Sequence, residues 1–161
     1  MAAATPAAQA LSRAGKPFTL HEYSASAASG TGYGEQAASA LGIDPARLFK
    51  TLIIDANGRL AVAVVPVAGS LDLKAMASAV KEKSVRMAET AAAERATGYV
   101  VGGISPLGQR KRLPTVVDAS ASSWPTIYVS AGRRGRQVEL APADLVELTA
   151  ATLAPIARVD P

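Results

Sequence analysis

The sequence predicts an α+β domain built on a mixed, mostly antiparallel β-sheet. Three observations carry that expectation. Apolar stretches at 50–55 and 59–67 flank Asn57-Gly58, the dipeptide best suited to a two-residue hairpin turn. Strand-like segments and hairpin signals recur, and they outnumber what a doubly wound parallel fold of this size needs. No repeat period and no linker divides the 161 residues, so the chain reads as one domain over 1–161.

Taken in order, Thr5-Pro6 reads as an N-cap followed by proline at the first helical position, opening a helix that stops at Gly15. Residues 18–23 alternate weakly and read as a strand, with Phe18 and Leu20 on one face and Thr19, His21 and Tyr23 on the other. The small and polar residues 24–33 read as a loop. A short helix over 35–41 is closed by Gly42, and Asp44-Pro45 opens a further turn. After the 50–67 hairpin, Pro66 points to an edge or a bulge. Ser70 is expected to cap a helix running to Val80, with Asp72 favourable in its first turn. A short strand over 84–87 and a helix over 89–96, ended by Gly98, follow. Tyr99-Val100-Val101 reads as a buried strand leading into a long loop, 102–114. Strands are expected at 115–118, 126–130 and 137–140, and Pro142 starts a last helix to about Ala150.

Composition narrows the chemistry. Cysteine is absent, which removes disulfides, thiolate nucleophiles and zinc–thiolate sites together. His21 is the sole histidine, so a His-rich metal site is excluded and only carboxylates could hold a hard cation. A serine triad would have to use His21, but no G-x-S-x-G elbow occurs, and His21 reads as structural or peripheral. The net charge of +4 permits a polyanionic partner without requiring one. No apolar run is long enough to span a bilayer, and the N-terminus lacks a signal-peptide pattern, so a cytoplasmic location and no membrane partner are expected.

Lys50 stands out because it begins a strand of Leu, Ile and Ile and shares a face with Leu52 and Ile54. Either that face is buried and the lysine is desolvated, or it sits at the strand mouth. A strand-end lysine reaching water is the plain reading. An ammonium that meets a carbonyl, carboxylate or phosphate oxygen in a partly dry site is the functional one. The segment Gly102-Gly103-Ile104-Ser105-Pro106-Leu107-Gly108 suits close backbone approach and main-chain N–H groups aimed at an anion, or it is an ordinary turn. It matches no nucleotide-cofactor fingerprint, and no cofactor is implied. Three basic clusters, Lys81/Lys83/Arg86, Arg110-Lys111-Arg112 and Arg133-Arg134-Arg136, are either solvated faces or a phosphate-backbone track.

The segments FKTLI (49–53), AVAVVPVAGSLDLK (61–74), TGYVVGGISPLGQRKRLPTVVDA (97–119) and TIYVSAGRRGRQVELAPADL (126–145) together resemble the YbaK family, deacylases of Cys-tRNA(Pro) related to the editing domain of prolyl-tRNA synthetase. The resemblance runs in order along essentially the whole chain. It implies a closed or nearly closed, barrel-like mixed sheet surrounded by helices. It also implies cleavage of the ester between a wrong amino acid and tRNA(Pro), with Lys50 catalytic and no metal. Tyr23, Tyr33, Gly102 and Ser130 match the family's pocket, and Gly103 lies beside Gly102 in the same loop. The family commonly carries Phe where Tyr33 stands, so an added hydroxyl is expected to alter pocket polarity. Arg110, Lys111, Arg112, Arg133 and Arg134 are candidates for tRNA-backbone contact. The implied partners are mischarged tRNA(Pro) and prolyl-tRNA synthetase. For cysteine, the substrate's own thiol would attack the ester. The alternatives are a deacylase of another small residue, such as Ala-tRNA(Pro), and a non-catalytic tRNA- or nucleotide-binding module of the same fold.

Overall fold

In a computed structural model, the structure describes residues 5–24 and 33–159. Helix α1, Pro6–Ala14, starts where the Thr5 side chain accepts the Ala8 N–H at 3.2 Å, and it ends at Gly15 in the left-handed region. Strand β1 is Thr19–Glu22, and α2 is Tyr33–Leu41. Most of the expected 24–33 loop lies outside the described residues, but Tyr33 already belongs to the helix.

Strands β2 (Phe49–Ala56) and β3 (Arg59–Pro66) form the expected hairpin, with Asn57 and Gly58 both at positive φ, as a primed turn requires. Pro66 pairs with Phe49 at the open end of that ladder. β3 is buried continuously from Ala61 onward because it is a central strand, covered on both faces.

Ser70 does not cap a helix. It lies in β4, Gly69–Leu71, opposite Arg158 of β10 (Ala157–Val159), and the cap is Asp72, whose carboxylate accepts the Ala75 N–H ahead of α3, Leu73–Ala79. The cap therefore sits two residues later, because β10 recruits the preceding backbone into a ladder. Short β5 (Arg86–Met87) pairs with β2, and α4 (Thr90–Thr97) ends at Gly98. The expected strand over 99–101 is absent. Tyr99 is buried, but Val100 is 71 % and Val101 47 % exposed, because the chain turns after Gly98 and the Gly103 N–H bonds back to the Val100 carbonyl.

Strands β6 (Thr115–Asp118), β7 (Ile127–Ser130) and β8 (Arg136–Leu140) and helix α5 (Pro142–Thr149) follow the expected order, and β9 (Thr152–Ala154) is added. Three sheets result, in the orders β5-β2-β3-β6-β9, β1-β8-β7 and β10-β4. Among the strand pairs of the described residues, only β3–β6 and β6–β9 are parallel, so the sheet is mostly antiparallel as expected. The barrel remains open. The first two sheets meet at a parallel bridge between Leu48 and Tyr128 rather than along a shared ladder.

The five-stranded sheet separates two cores. Phe49, Ile53, Val62 and Val64 pack toward β7, β8, α1 and α5, and Ile54, Ala63 and Val65 pack toward Met76 of α3 and Ile156. Asp118 ties the C-terminal segment to this frame. Its Oδ1 accepts the Ile156 and Ala157 N–H groups, each at 2.9 Å, and its Oδ2 accepts from Ser120. Among the described residues, no helix is long and apolar enough to cross a membrane.

Candidate active site

Both readings of Lys50 contain part of the answer. Its strand face is deeply buried further along, at Ile54, yet Lys50 itself is half-buried at the open end of β2, opposite Val65. The Lys50 ammonium donates to the Gly69 carbonyl at 3.1 Å, and among the described residues no carboxylate pairs with it. An ammonium held by one neutral acceptor has two further protons to offer.

Beside Lys50 lies a cavity of about 370 Å³. Five expected site residues from separate elements line it: Tyr23 after β1, Tyr33 at the start of α2, Lys50 in β2, Gly102 in the loop after α4, and Ser130 at the end of β7. Leu48, Phe49, Val67 and Ile104 supply much of its apolar wall. Gly103 does not line it and faces a neighbouring groove.

Each position has a local cause. Gly34 brings α2 onto the end of β3, since a Cβ there would stand 2.5 Å from Val67 Cγ2. Gly102, at φ +97°, leaves room for the Tyr33 ring, whose Cε2 would be 3.0 Å from any added Cβ. The Arg134 guanidinium covers that ring, 4.5 Å from its centroid. The loop itself is anchored by the Tyr99 hydroxyl, which donates to the Leu107 carbonyl at 2.6 Å. Burial pushes the Tyr99 phenol up to about 12, so it stays protonated as a donor. The Val101 N–H is taken by the Glu94 carboxylate and the Gly103 N–H by Val100, which leaves the Gly102 N–H without an acceptor among the described residues. Ser130 accepts the Gly132 N–H at 3.1 Å and so shapes the turn that carries Arg133 and Arg134.

The sequence pattern of the aminoacyl-tRNA editing domain matches residues 30–148. The chain belongs to the aminoacyl-tRNA editing domain family. Within this editing family, it is 44 % identical over 116 residues to EbsC of Enterococcus faecalis, a proposed Cys-tRNA(Pro)/Cys-tRNA(Cys) deacylase, with 71 % of each chain covered. It is 26 % identical over 116 residues to the uncharacterised YwhH of Bacillus subtilis, covering 71 % of this chain and 73 % of that one. A solved structure of a proposed trans-editing enzyme for prolyl-tRNA synthetase has the same fold, with a TM-score of 0.84, 23 % identity and 95 % of both chains covered. As an editing domain, the protein is an aminoacyl-tRNA deacylase.

The editing-domain cavity also holds two polar groups that sequence reasoning passed over. Thr51 Oγ1 and Gln137 Oε1 are buried without a hydrogen-bond partner among the described residues, and both residues line the cavity. Such atoms are costly to bury unless something else meets them. Alternation placed Thr51 on the face opposite Lys50, and only the β7–β8 register, which pairs Gln137 with Ser130, brings Gln137 to the cavity. Of the basic clusters, Arg110, Lys111 and Arg112 are exposed, with the first two backbone N–H groups closing onto the end of α4. Arg86 pairs with Asp55 at 3.1 Å, and Lys81 and Lys83 are exposed. His21 lies outside the cavity lining, with Nε2 2.9 Å from Glu139, a carboxylate that also accepts from Thr126 and Arg47. No group of three His, Asp or Glu side chains converges among the described residues.

Proposed function

We propose that this protein acts in trans on Cys-tRNA(Pro), and that Lys50 carries the reaction. The observation behind the reading is the Lys50 ammonium, part-buried on the wall of a largely apolar cavity and engaged, among the described residues, by a single carbonyl. The similarity to EbsC supports the choice of substrate. Cysteine and proline are close in volume, so a synthetase pocket separates them poorly and a second, hydrolytic site supplies the discrimination.

The chain offers no cysteine and no serine elbow, which favours a nucleophile supplied by the substrate. The cysteinyl thiol attacks its own ester carbonyl. A carbon–sulfur bond forms, the ester carbon–oxygen bond breaks, the ribose hydroxyl takes up the proton lost by the thiol, and water later opens the thiolactone. In this scheme the Lys50 ammonium and the Gly102 N–H stabilise the charge that develops on the carbonyl oxygen. Tyr23, Tyr33 and Ser130 hold the aminoacyl end and the terminal ribose. Prolyl-tRNA synthetase is the natural source of the substrate and a partner in the cytoplasm.

Charging tRNA(Pro) with cysteine, serine and alanine tests the proposal. Cysteinyl ester is expected to be lost fastest, with serinyl ester slower because its hydroxyl is the poorer nucleophile. Equal rates for cysteine and alanine would replace the thiol with water as nucleophile.

A further inference from the structure

The cavity straddles a seam between the two larger sheets. Phe49, Lys50 and Thr51 reach it from the five-stranded sheet, and Ser130 and Gln137 from the three-stranded one. At the seam, Leu48 bridges Tyr128, and the Tyr128 N–H donates to the Arg47 carbonyl at 3.1 Å. Lys50 and Ser130 each lie two residues beyond the bridged pair, so a slip there shifts the ammonium against the serine. The Arg47 side chain grips the same seam. Its Nε donates to the Thr126 carbonyl at 2.7 Å, and its Nη2 donates to the Thr126 hydroxyl and, at 3.3 Å, to Glu139. The guanidinium lies 5.3 Å from the centroid of the Tyr128 ring and 5.8 Å from that of Trp124. Thr126 in turn donates to Glu139 at 2.5 Å, and His21 Nε2 stands 2.9 Å from the other Glu139 oxygen. All these partners belong to the three-stranded sheet or to the turn that enters β7, whereas Arg47 sits just before β2. Neither Arg47 nor any residue it grips lines the cavity, so this cluster acts on the site only through the strands it joins.

We propose that Arg47 is a positioning residue of the deacylase: its forked grip on Thr126 and Glu139 fixes β2 against β7 and so holds Lys50 and Ser130 at the spacing the ester requires. The inference rests on the reading that Lys50 carries the reaction. Lysine is no substitute at position 47, because an ammonium lacks the planar fork and the flat face that lies against the rings. The competing role is plain stabilisation, in which Arg47 adds to the unfolding midpoint and leaves the folded site unchanged.

The test compares wild type, Arg47→Lys, Arg47→Met and Lys50→Ala in the full chain, at a temperature well below every unfolding midpoint. Thr126→Val removes one arm of the grip and carries the same test if Arg47→Met does not fold. Single-turnover deacylation of Cys-tRNA(Pro) over a range of enzyme concentrations separates the maximal rate from the half-saturating concentration. Both Arg47 variants are expected to lose about 10- to 100-fold in maximal rate, with half-saturation moved by less than about threefold. Trp124 is the sole tryptophan of the chain and lies against Arg47, so its fluorescence reports on the seam without any turnover. Acrylamide quenching of Trp124 is expected to rise about twofold in the Arg47 variants, as a loosened seam admits the quencher, and to stay at the wild-type level in Lys50→Ala. A wild-type maximal rate in Arg47→Lys and Arg47→Met, with Lys50→Ala inactive, overturns the positioning role and leaves Arg47 a stabilising residue. A loss carried by half-saturation alone, or quenching unchanged in the Arg47 variants, overturns it too. Wild-type turnover by Lys50→Ala would instead sink the Lys50 reading on which the role rests.

Discussion

Replacing Gly102 with alanine tests whether the loop after α4 shapes the cavity. At φ +97° an L-residue is strained by about 1–2 kcal/mol. The new Cβ would also press on Tyr33 Cε2 at 3.0 Å and on Arg134 Cδ at 3.2 Å, so the ring and the guanidinium above it must shift by a few tenths of an ångström. A loss of roughly 1–3 kcal/mol lowers the unfolding midpoint by about 2–10 °C for a domain of this size. Displacement of a ring that lines the cavity is expected to cost more in activity, on the order of 10- to 100-fold in kcat/KM. Gly15→Ala is the matched control. Gly15 has φ +68° and nothing within 4 Å of an added Cβ, so it carries the backbone strain without touching the cavity. Thermal unfolding and single-turnover deacylation of Cys-tRNA(Pro) would be measured on both variants. Comparable midpoint losses with activity lost only in Gly102→Ala are expected. Wild-type kcat/KM in Gly102→Ala, or an equal activity loss in Gly15→Ala, would refute the reasoning.

Thr51→Val and Gln137→Met each remove a buried oxygen that has no partner among the described residues, so stability should stay within about 1 kcal/mol of wild type or rise, while kcat/KM falls about tenfold. Losses of stability and activity in step would show that these oxygens serve the fold. Asp118→Ala orphans the Ile156 and Ala157 N–H groups and should cost roughly 3–5 kcal/mol, read by urea unfolding. The Glu139 carboxyl is held below its ordinary range, first by the hydrogen bond from Thr126 and then by His21 and Arg47. A lowered folded-state value means that the unfolded chain binds the proton more readily. The stabilisation is therefore complete above about pH 4.5 and is lost as pH falls through the lower folded value. Glu139→Gln should lower the unfolding midpoint at pH 7 and shrink its drop between neutral pH and acid, whereas parallel pH curves would rule out a contribution from this carboxylate.

Much of the frame follows from local signals. The Asn57-Gly58 turn, the Thr5-Pro6 cap and the glycine stops at 15 and 98 are set by residues a few positions apart, and each element forms where those signals place it. Pairing between distant segments is not written locally. The β4–β10 ladder displaced the expected Ser70 cap, because nothing near Ser70 announces a partner some ninety residues on. Val100 and Val101 look like a strand, yet they are exposed where the chain bends between two cavities. For the site, Lys50 and the Gly102 loop stand out from the residue pattern itself, family resemblance adds Tyr23, Tyr33 and Ser130 as pocket residues, and all five line one cavity. Thr51 and Gln137 escaped notice because an unmet hydrogen bond is a property of packing, visible only when every neighbour is in place.

Single-turnover deacylation of Cys-tRNA(Pro), measured for wild type beside Lys50→Ala with unfolding midpoints matched, decides whether Lys50 carries the reaction. Rapid ester loss is expected with wild type and near-background loss with the variant, while tRNA binding persists in both. Wild-type turnover by Lys50→Ala, or no acceleration by the wild-type protein, would contradict it.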